Sequence, residues 1–128
     1  MNGSLTAPGV RLWVSVGLVL STFGGWYHNI EEFPTMPQWA PEMLMTIVPG
    51  AVLLGWWWLR PGAALMWVTT VWVLLGLIVG AFLSVFPLQV WPFDPEQTAD
   101  HYRTHLIYAA TQVPTLVVLA WLMGRMRR

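Results

Sequence analysis

A chain of 128 residues with 56% hydrophobic and only 9% charged residues has too few polar side chains to cover a soluble domain. Its formal net charge is zero and its basic residues are dispersed along the chain, so nucleic-acid binding finds no support. It contains no cysteine, which excludes disulfides and thiolate metal sites. At this length we expect one domain over residues 1–128.

Four long uncharged stretches predict an all-α fold, a four-helix transmembrane bundle. Each stretch supplies the roughly 17–25 residues that cross about 30 Å of hydrocarbon as a helix. Because the apolar runs are continuous, they differ from the alternating segments of a membrane β-barrel. We expect helices over residues 9–33, 41–59, 62–86 and 95–124. Membrane lipid is therefore the first expected partner of the protein.

The charged side chains are sorted between the two ends of the predicted helices. Five arginines flank the helix ends that lie on the same side of the membrane as the two termini: Arg11, Arg60, Arg125, Arg127 and Arg128. The acids and the three histidines flank the opposite ends, together with Arg103. Because arginine-rich short flanks stay in the cytoplasm, we expect both termini to be cytoplasmic, with the membrane being the inner membrane of a bacterium. The acids and histidines then lie on the external face.

The first predicted helix ends in the sequence His28-Asn29-Ile30-Glu31-Glu32. Pro34 follows, and the residue before a proline is seldom helical, so we expect the helix to end at Phe33. Residues three and four positions apart lie on one face of a helix. This turn therefore predicts His28, Glu31 and Glu32 as candidate catalytic residues.

Two glycines in the third predicted helix, Gly76 and Gly80, are four residues apart and allow another helix to approach closely. The approaching helix belongs either to the same chain or to another protein. The second alternative predicts self-association or a partner helix, and with it a non-catalytic accessory or assembly subunit of a membrane complex.

The fourth helix is predicted to begin at Pro95, because Asp94, Pro95 and Gln97 form a capping-box pattern. A polar stripe on this helix runs from the surface into the membrane: His101, His105, Tyr108 and Gln112. Such a stripe must face protein or a wet cavity, because lipid leaves its polar groups unsatisfied. We therefore expect Tyr108 and Gln112 to line a cavity.

If the first and fourth helices are neighbours, four side chains converge: His28, Glu32, His101 and His105. As a metal site, these imidazoles and the carboxylate suit a divalent ion such as zinc or iron. As an acid–base site, Glu31 or Glu32 pairs with His28, and the pair exchanges protons with a small hydrophobic, lipid-like ligand. As a structural network, hydrogen bonds and an ion pair of Arg103 cap the bundle. All three interpretations fit the spacing.

The literal H-x-x-E-E sequence at the end of a first membrane helix resembles the signature of the HXXEE-domain family of small bacterial membrane proteins. That signature also includes a further histidine, which His101 or His105 would supply, and a Y-x-P-G element. Here Ile47-Val48-Pro49-Gly50 keeps the Pro-Gly pair without the tyrosine. The resemblance covers roughly residues 10–125 and implies a small membrane protein, but no established activity comes with it.

Overall fold

The computed structural model describes residues 5–90 and 94–126, and this part of the chain is helical and contains no strand. It forms four helices: α1 (Pro8–Glu32), α2 (Pro41–Leu59), α3 (Ala63–Val85) and α4 (Ala99–Met126). Three of the four, α2, α3 and α4, are long and apolar enough to cross a membrane. The predicted all-α, four-helix fold is confirmed.

The helix α1 has 25 residues and is roughly 37 Å long, yet it is not among the three helices that are both long and apolar enough to cross a membrane. Its uncharged stretch, residues 12–27, is bounded by Arg11 at one end and by the polar turn at residues 28–32 at the other. Both α1 and α2 begin with a proline, Pro8 and Pro41. A backbone N–H in the first turn of a helix has no acceptor within the helix, so proline, which lacks this N–H, loses no hydrogen bond there.

The start of α4 differs from the prediction, which placed it at Pro95 with Asp94 as the cap. The helix begins at Ala99, and the Thr98 hydroxyl accepts a hydrogen bond from the backbone N–H of His101 at 3.3 Å. The Gln97 amide donates instead to the carbonyl oxygens of Val85, Pro95 and Glu96. Thr98 therefore caps α4, while Gln97 satisfies a free carbonyl at the end of α3.

Close approach of α1 and α4 forms the centre of the bundle. Small residues of α1 face threonines of α4, and the hydroxyls of Ser21 and Thr115 are 2.7 Å apart. A methyl group added to Gly17 would lie 2.9 Å from the backbone Cα of Thr115. Nearer the end that carries Arg11, the helices bury an apolar core: Val14, Leu18, Leu53, Trp57, Met66, Leu119 and Leu122.

The Gly76 and Gly80 face of α3 packs against α4 of the same chain. α3 is α-helical over Ala63–Leu75, π-helical over Gly76–Phe82 and 3-10 over Leu83–Val85. A methyl group at Gly80 would lie 2.9 Å from a ring carbon of Tyr108, and one at Gly76 would lie 3.0 Å from its hydroxyl oxygen. The intramolecular alternative thus accounts for both glycines.

The outward faces of the helices are apolar. Leu106 is 70% exposed and Val117 is 60% exposed, and large apolar side chains are exposed on every helix. A soluble protein rarely exposes so continuous an apolar surface. This surface fits hydrocarbon rather than water.

The charged residues separate between the two ends of the bundle. At one end the Arg11 guanidinium lies 5.9 Å from the centre of the Trp58 ring, so the start of α1 meets the end of α2. At the other end the Asn29 amide donates to the backbone carbonyl of Glu42 at 2.6 Å, which joins the end of α1 to the start of α2. Arg127 and Arg128, which contributed to the predicted orientation, lie outside the described residues.

Candidate metal centre

The last turn of α1 meets the first turns of α4 through four of the predicted side chains. The Nε2 atoms of His28 and His105 are 3.0 Å apart. His101 Nδ1 and Glu32 Oε1 are 2.7 Å apart. In each helix the two residues are four positions apart and lie on one face. Both contacts therefore connect α1 to α4.

Three of these residues form a group that can hold one metal ion. His28, Glu32 and His105 each offer one ligand atom, and the three atoms lie within 4.8 Å of one another. Two nitrogens bound to zinc at 2.0–2.1 Å in tetrahedral geometry are roughly 3.3 Å apart, close to the observed separation of the imidazole nitrogens. The two imidazole nitrogens are therefore spaced close to what one shared ion requires, and the Glu32 carboxylate lies within 4.8 Å of both.

Hydrogen bonds fix the tautomers of both histidines. The backbone carbonyl of Glu42 can only accept a hydrogen bond, so the Asn29 side-chain atom that contacts it must be the amide nitrogen. The side-chain oxygen of Asn29 then faces His28 Nδ1 at 3.1 Å. That oxygen also only accepts, so His28 Nδ1 carries a hydrogen. His105 Nδ1 lies 3.1 Å from the carbonyl oxygen of Ala81, and the same reasoning applies. In the neutral form both Nε2 atoms therefore present lone pairs to each other.

Two nitrogen lone pairs at 3.0 Å repel each other unless a cation lies between them. The cation is either a shared proton or a metal ion. A shared proton involves only the two imidazoles, whereas a metal ion also uses the nearby Glu32 carboxylate. The arrangement can thus exchange a proton or bind a divalent ion.

His101 is buried and lies beside this group rather than in it. Its Nδ1 binds the Glu32 carboxylate, and its Nε2 has no hydrogen-bond partner among the described residues. An imidazole that holds a ligating carboxylate in place is a common feature of metal sites. In this geometry His101 positions Glu32, whereas the sequence had suggested His101 as a ligand.

Glu31 is set apart from these contacts. It is exposed and lines a surface groove with Glu96 and Asp100. Asp100 also pairs with Arg103 at 3.4 Å, and both side chains are largely exposed, so this ion pair contributes little stability. Glu32 and His101 line the same groove, so the ion pair expected of Arg103 lies next to the His/Glu contacts without taking part in them.

Tyr108 and Gln112 line a cavity below the histidines. The ring centres of Tyr108 and His28 are 5.2 Å apart. Gln112 is buried, and its amide donates to the carbonyl oxygen of Ser21 at 3.1 Å. Both side chains line one cavity of about 490 Å³ that also reaches His28.

Sequence reasoning missed two contributors to the site, Asn29 and the carbonyl group of Ala81. Asn29 lies inside the H-x-x-E-E run, and its position next to His28 was the one signal that it could contribute to the site. The role of Asn29 also depends on its hydrogen bond to the start of α2, which the sequence does not reveal. Ala81 lies in the π-helical part of α3, and no side-chain pattern marks a carbonyl that turns toward α4.

The chain matches no family model, no curated protein and no solved structure. The likeness to the HXXEE-domain family therefore rests on the residues of the H-x-x-E-E turn and their place at the end of the first helix.

Proposed function

We propose that the protein is an integral protein of a bacterial inner membrane, that it binds a divalent metal ion such as zinc or iron, and that it acts on a hydrophobic or lipid-like small molecule. His28, Glu32 and His105 are the proposed ligands. The facing Nε2 atoms of the two histidines, 3.0 Å apart with the Glu32 carboxylate beside them, carry the proposal. We further propose HXXEE-domain membership from the H-x-x-E-E turn.

The donor set suits this chemistry. Two imidazoles and one carboxylate form a three-ligand site of the kind that leaves positions open for water or substrate on zinc and on non-haem iron. An ion bound there supplies Lewis acidity toward an oxygen of the substrate. His101 keeps the Glu32 carboxylate in place, and Asn29 and the Ala81 carbonyl keep the two ligating nitrogens free of protons.

Of the three residues predicted to be catalytic, His28 and Glu32 belong to the proposed site. Glu31 is exposed, lies outside the group of three ligand atoms and has no role in the proposal. This difference between neighbouring carboxylates provides a matched pair of variants for the test.

The test is elemental analysis of the protein purified from the membrane and loaded with Zn²⁺ or Fe²⁺. We expect about one ion per chain in the wild type and in Glu31→Gln, and its loss in Glu32→Gln and in the His28→Ala/His105→Ala double variant. Circular dichroism and gel filtration verify that each variant folds. A wild type that binds neither ion contradicts the proposal and leaves the shared proton as the explanation for the imidazole contact.

A further inference from the structure

The cavity that reaches His28 is bounded by all four helices and has mainly apolar walls. Its apolar side chains come from the end of α1, from α2 and from α3: Phe33, Met45, Trp72, Leu75 and Val79. Its volume of about 490 Å³ lies within the range of small-molecule sites. It therefore fits one compact or single-chain molecule better than a two-chain lipid.

Two polar groups in this cavity have unused hydrogen-bonding capacity. The hydroxyl group of Tyr108 has no hydrogen-bond partner among the described residues. The side-chain oxygen of Gln112 has none there either, because the Gln112 contact with Ser21 uses the amide nitrogen. Both groups face the cavity, so an oxygen-bearing ligand there could hydrogen-bond to each of them.

The described lining of the cavity contains no Asp, Glu, Lys or Arg. Of the proposed metal ligands only His28 reaches the cavity, while Glu32 and His105 lie behind it. In the metal-free protein a charged head group would therefore be buried without a charged partner, at a cost that an uncharged hydroxyl or carbonyl group avoids. The lining selects an uncharged oxygen function.

The cavity opens between α2 and α3 toward the apolar outer surface. α2 packs mainly on α1 and α3 mainly on α4, so these two neighbours touch little, and the hydrogen bond from Trp57 to Thr69 joins them at the end opposite the cavity. Met45 of α2 and Val79 of α3 line the cavity and are both exposed. A molecule dissolved in the membrane can reach the cavity here without crossing water.

From these contacts we infer that the cavity binds a single-chain amphiphile with an uncharged hydroxyl or carbonyl head group, which enters from the membrane between α2 and α3. The head lies beside His28 and Tyr108, and the chain lies along the apolar wall formed by Leu75 and Val79. This occupant is the class of hydrophobic molecule on which the proposed function acts. Only the reaction of the head group depends on that proposal, because binding needs no metal.

The experiment uses hexadecanol with a photoactivated diazirine in its chain, added to the full-length protein in lipid nanodiscs. We expect crosslinks on peptides that contain cavity residues. In the metal-free protein, unlabelled hexadecanol should compete at least about 10-fold better than hexadecanoate or hexadecyltrimethylammonium, because the charged heads find no charged partner there. Equal competition by either charged compound overturns the uncharged class.

Two variants of α3 test the proposed opening. Val79→Trp narrows it, whereas Leu74→Trp places the same large side chain on the same helix outside the cavity lining. The two positions are a matched pair because they are 38% and 37% exposed. We expect crosslinking to fall about 10-fold in Val79→Trp and to stay unchanged in Leu74→Trp. Equal crosslinking in both variants overturns the opening.

Metal content measured on the same nanodisc samples separates this inference from the proposed function. Crosslinks outside the cavity in a protein that holds its ion overturn the inference and leave the metal site standing. Crosslinks in the cavity of a protein that binds no ion support the inference and contradict the metal site.

Discussion

His101 contacts a carboxylate, whereas the other two histidines contact each other. Its Nδ1 binds Glu32, whereas His28 and His105 direct Nε2 at each other. We expect His101→Ala to weaken metal binding about 10–100-fold while keeping one ion per chain at saturating metal, as is usual when a positioning partner is removed. Titration with Zn²⁺ against a competing chelator measures both quantities.

The control for this variant is His105→Ala, which removes a proposed ligand and should abolish stoichiometric binding. If His101→Ala also lost its ion at saturation, His101 would be a ligand, as the sequence first suggested. The spacing of His28, Glu32, His101 and His105 predicted that they converge only if the first and fourth helices are neighbours. It did not separate ligand from positioning residue, because that depends on the side-chain contacts between α1 and α4.

Helices α1 and α4 approach closely because small residues of α1 face threonines of α4. At Gly17 an added methyl group would meet the backbone Cα of Thr115 at 2.9 Å, and a backbone atom does not rotate away. We expect Gly17→Ala to lower the free energy of unfolding by about 1–3 kcal/mol, the usual cost of overpacking. Reversible unfolding in mixed micelles, followed by circular dichroism, measures the change.

Gly55 provides the matched control, since it lies inside α2 and a methyl group there meets nothing within 4 Å. Gly55→Ala should be neutral or stabilising by up to about 1 kcal/mol, because alanine favours the helix more than glycine does. A Gly17→Ala protein as stable as Gly55→Ala would contradict the tight approach of α1 and α4.

Three of the helices begin and end within one residue of the predicted bounds, because an apolar run shows that a helix is present and the prolines beside it limit where the helix can begin or end. The start of α4 could not be predicted in the same way. Asp94, Pro95 and Gln97 match a capping pattern, but Thr98 offers a competing cap, and Gln97 is used by the end of α3. The choice between two local caps depends on a contact distant in sequence.

At the scale of the whole molecule, the separation of charges at the two ends of the bundle predicts its orientation. Arg11, Arg60 and Arg125 lie near one end, whereas the His/Glu site lies at the other. Basic residues in short flanks stay in the cytoplasm, so the proposed metal site should face outward. The site would then take up its ion from outside the cytoplasm.

The absence of cysteine from the sequence makes this orientation directly measurable. Thr35 lies before α2 and Gly62 after it, and the 19 residues of α2 separate them by roughly 28 Å, enough to place them on opposite sides of a membrane. In intact bacterial cells with a permeabilised outer membrane, a membrane-impermeant maleimide should label Thr35→Cys. It should label Gly62→Cys only after the inner membrane is disrupted. The reverse pattern would place the arginine-rich end outside, and labelling of both residues in intact cells would mean that α2 does not cross the membrane.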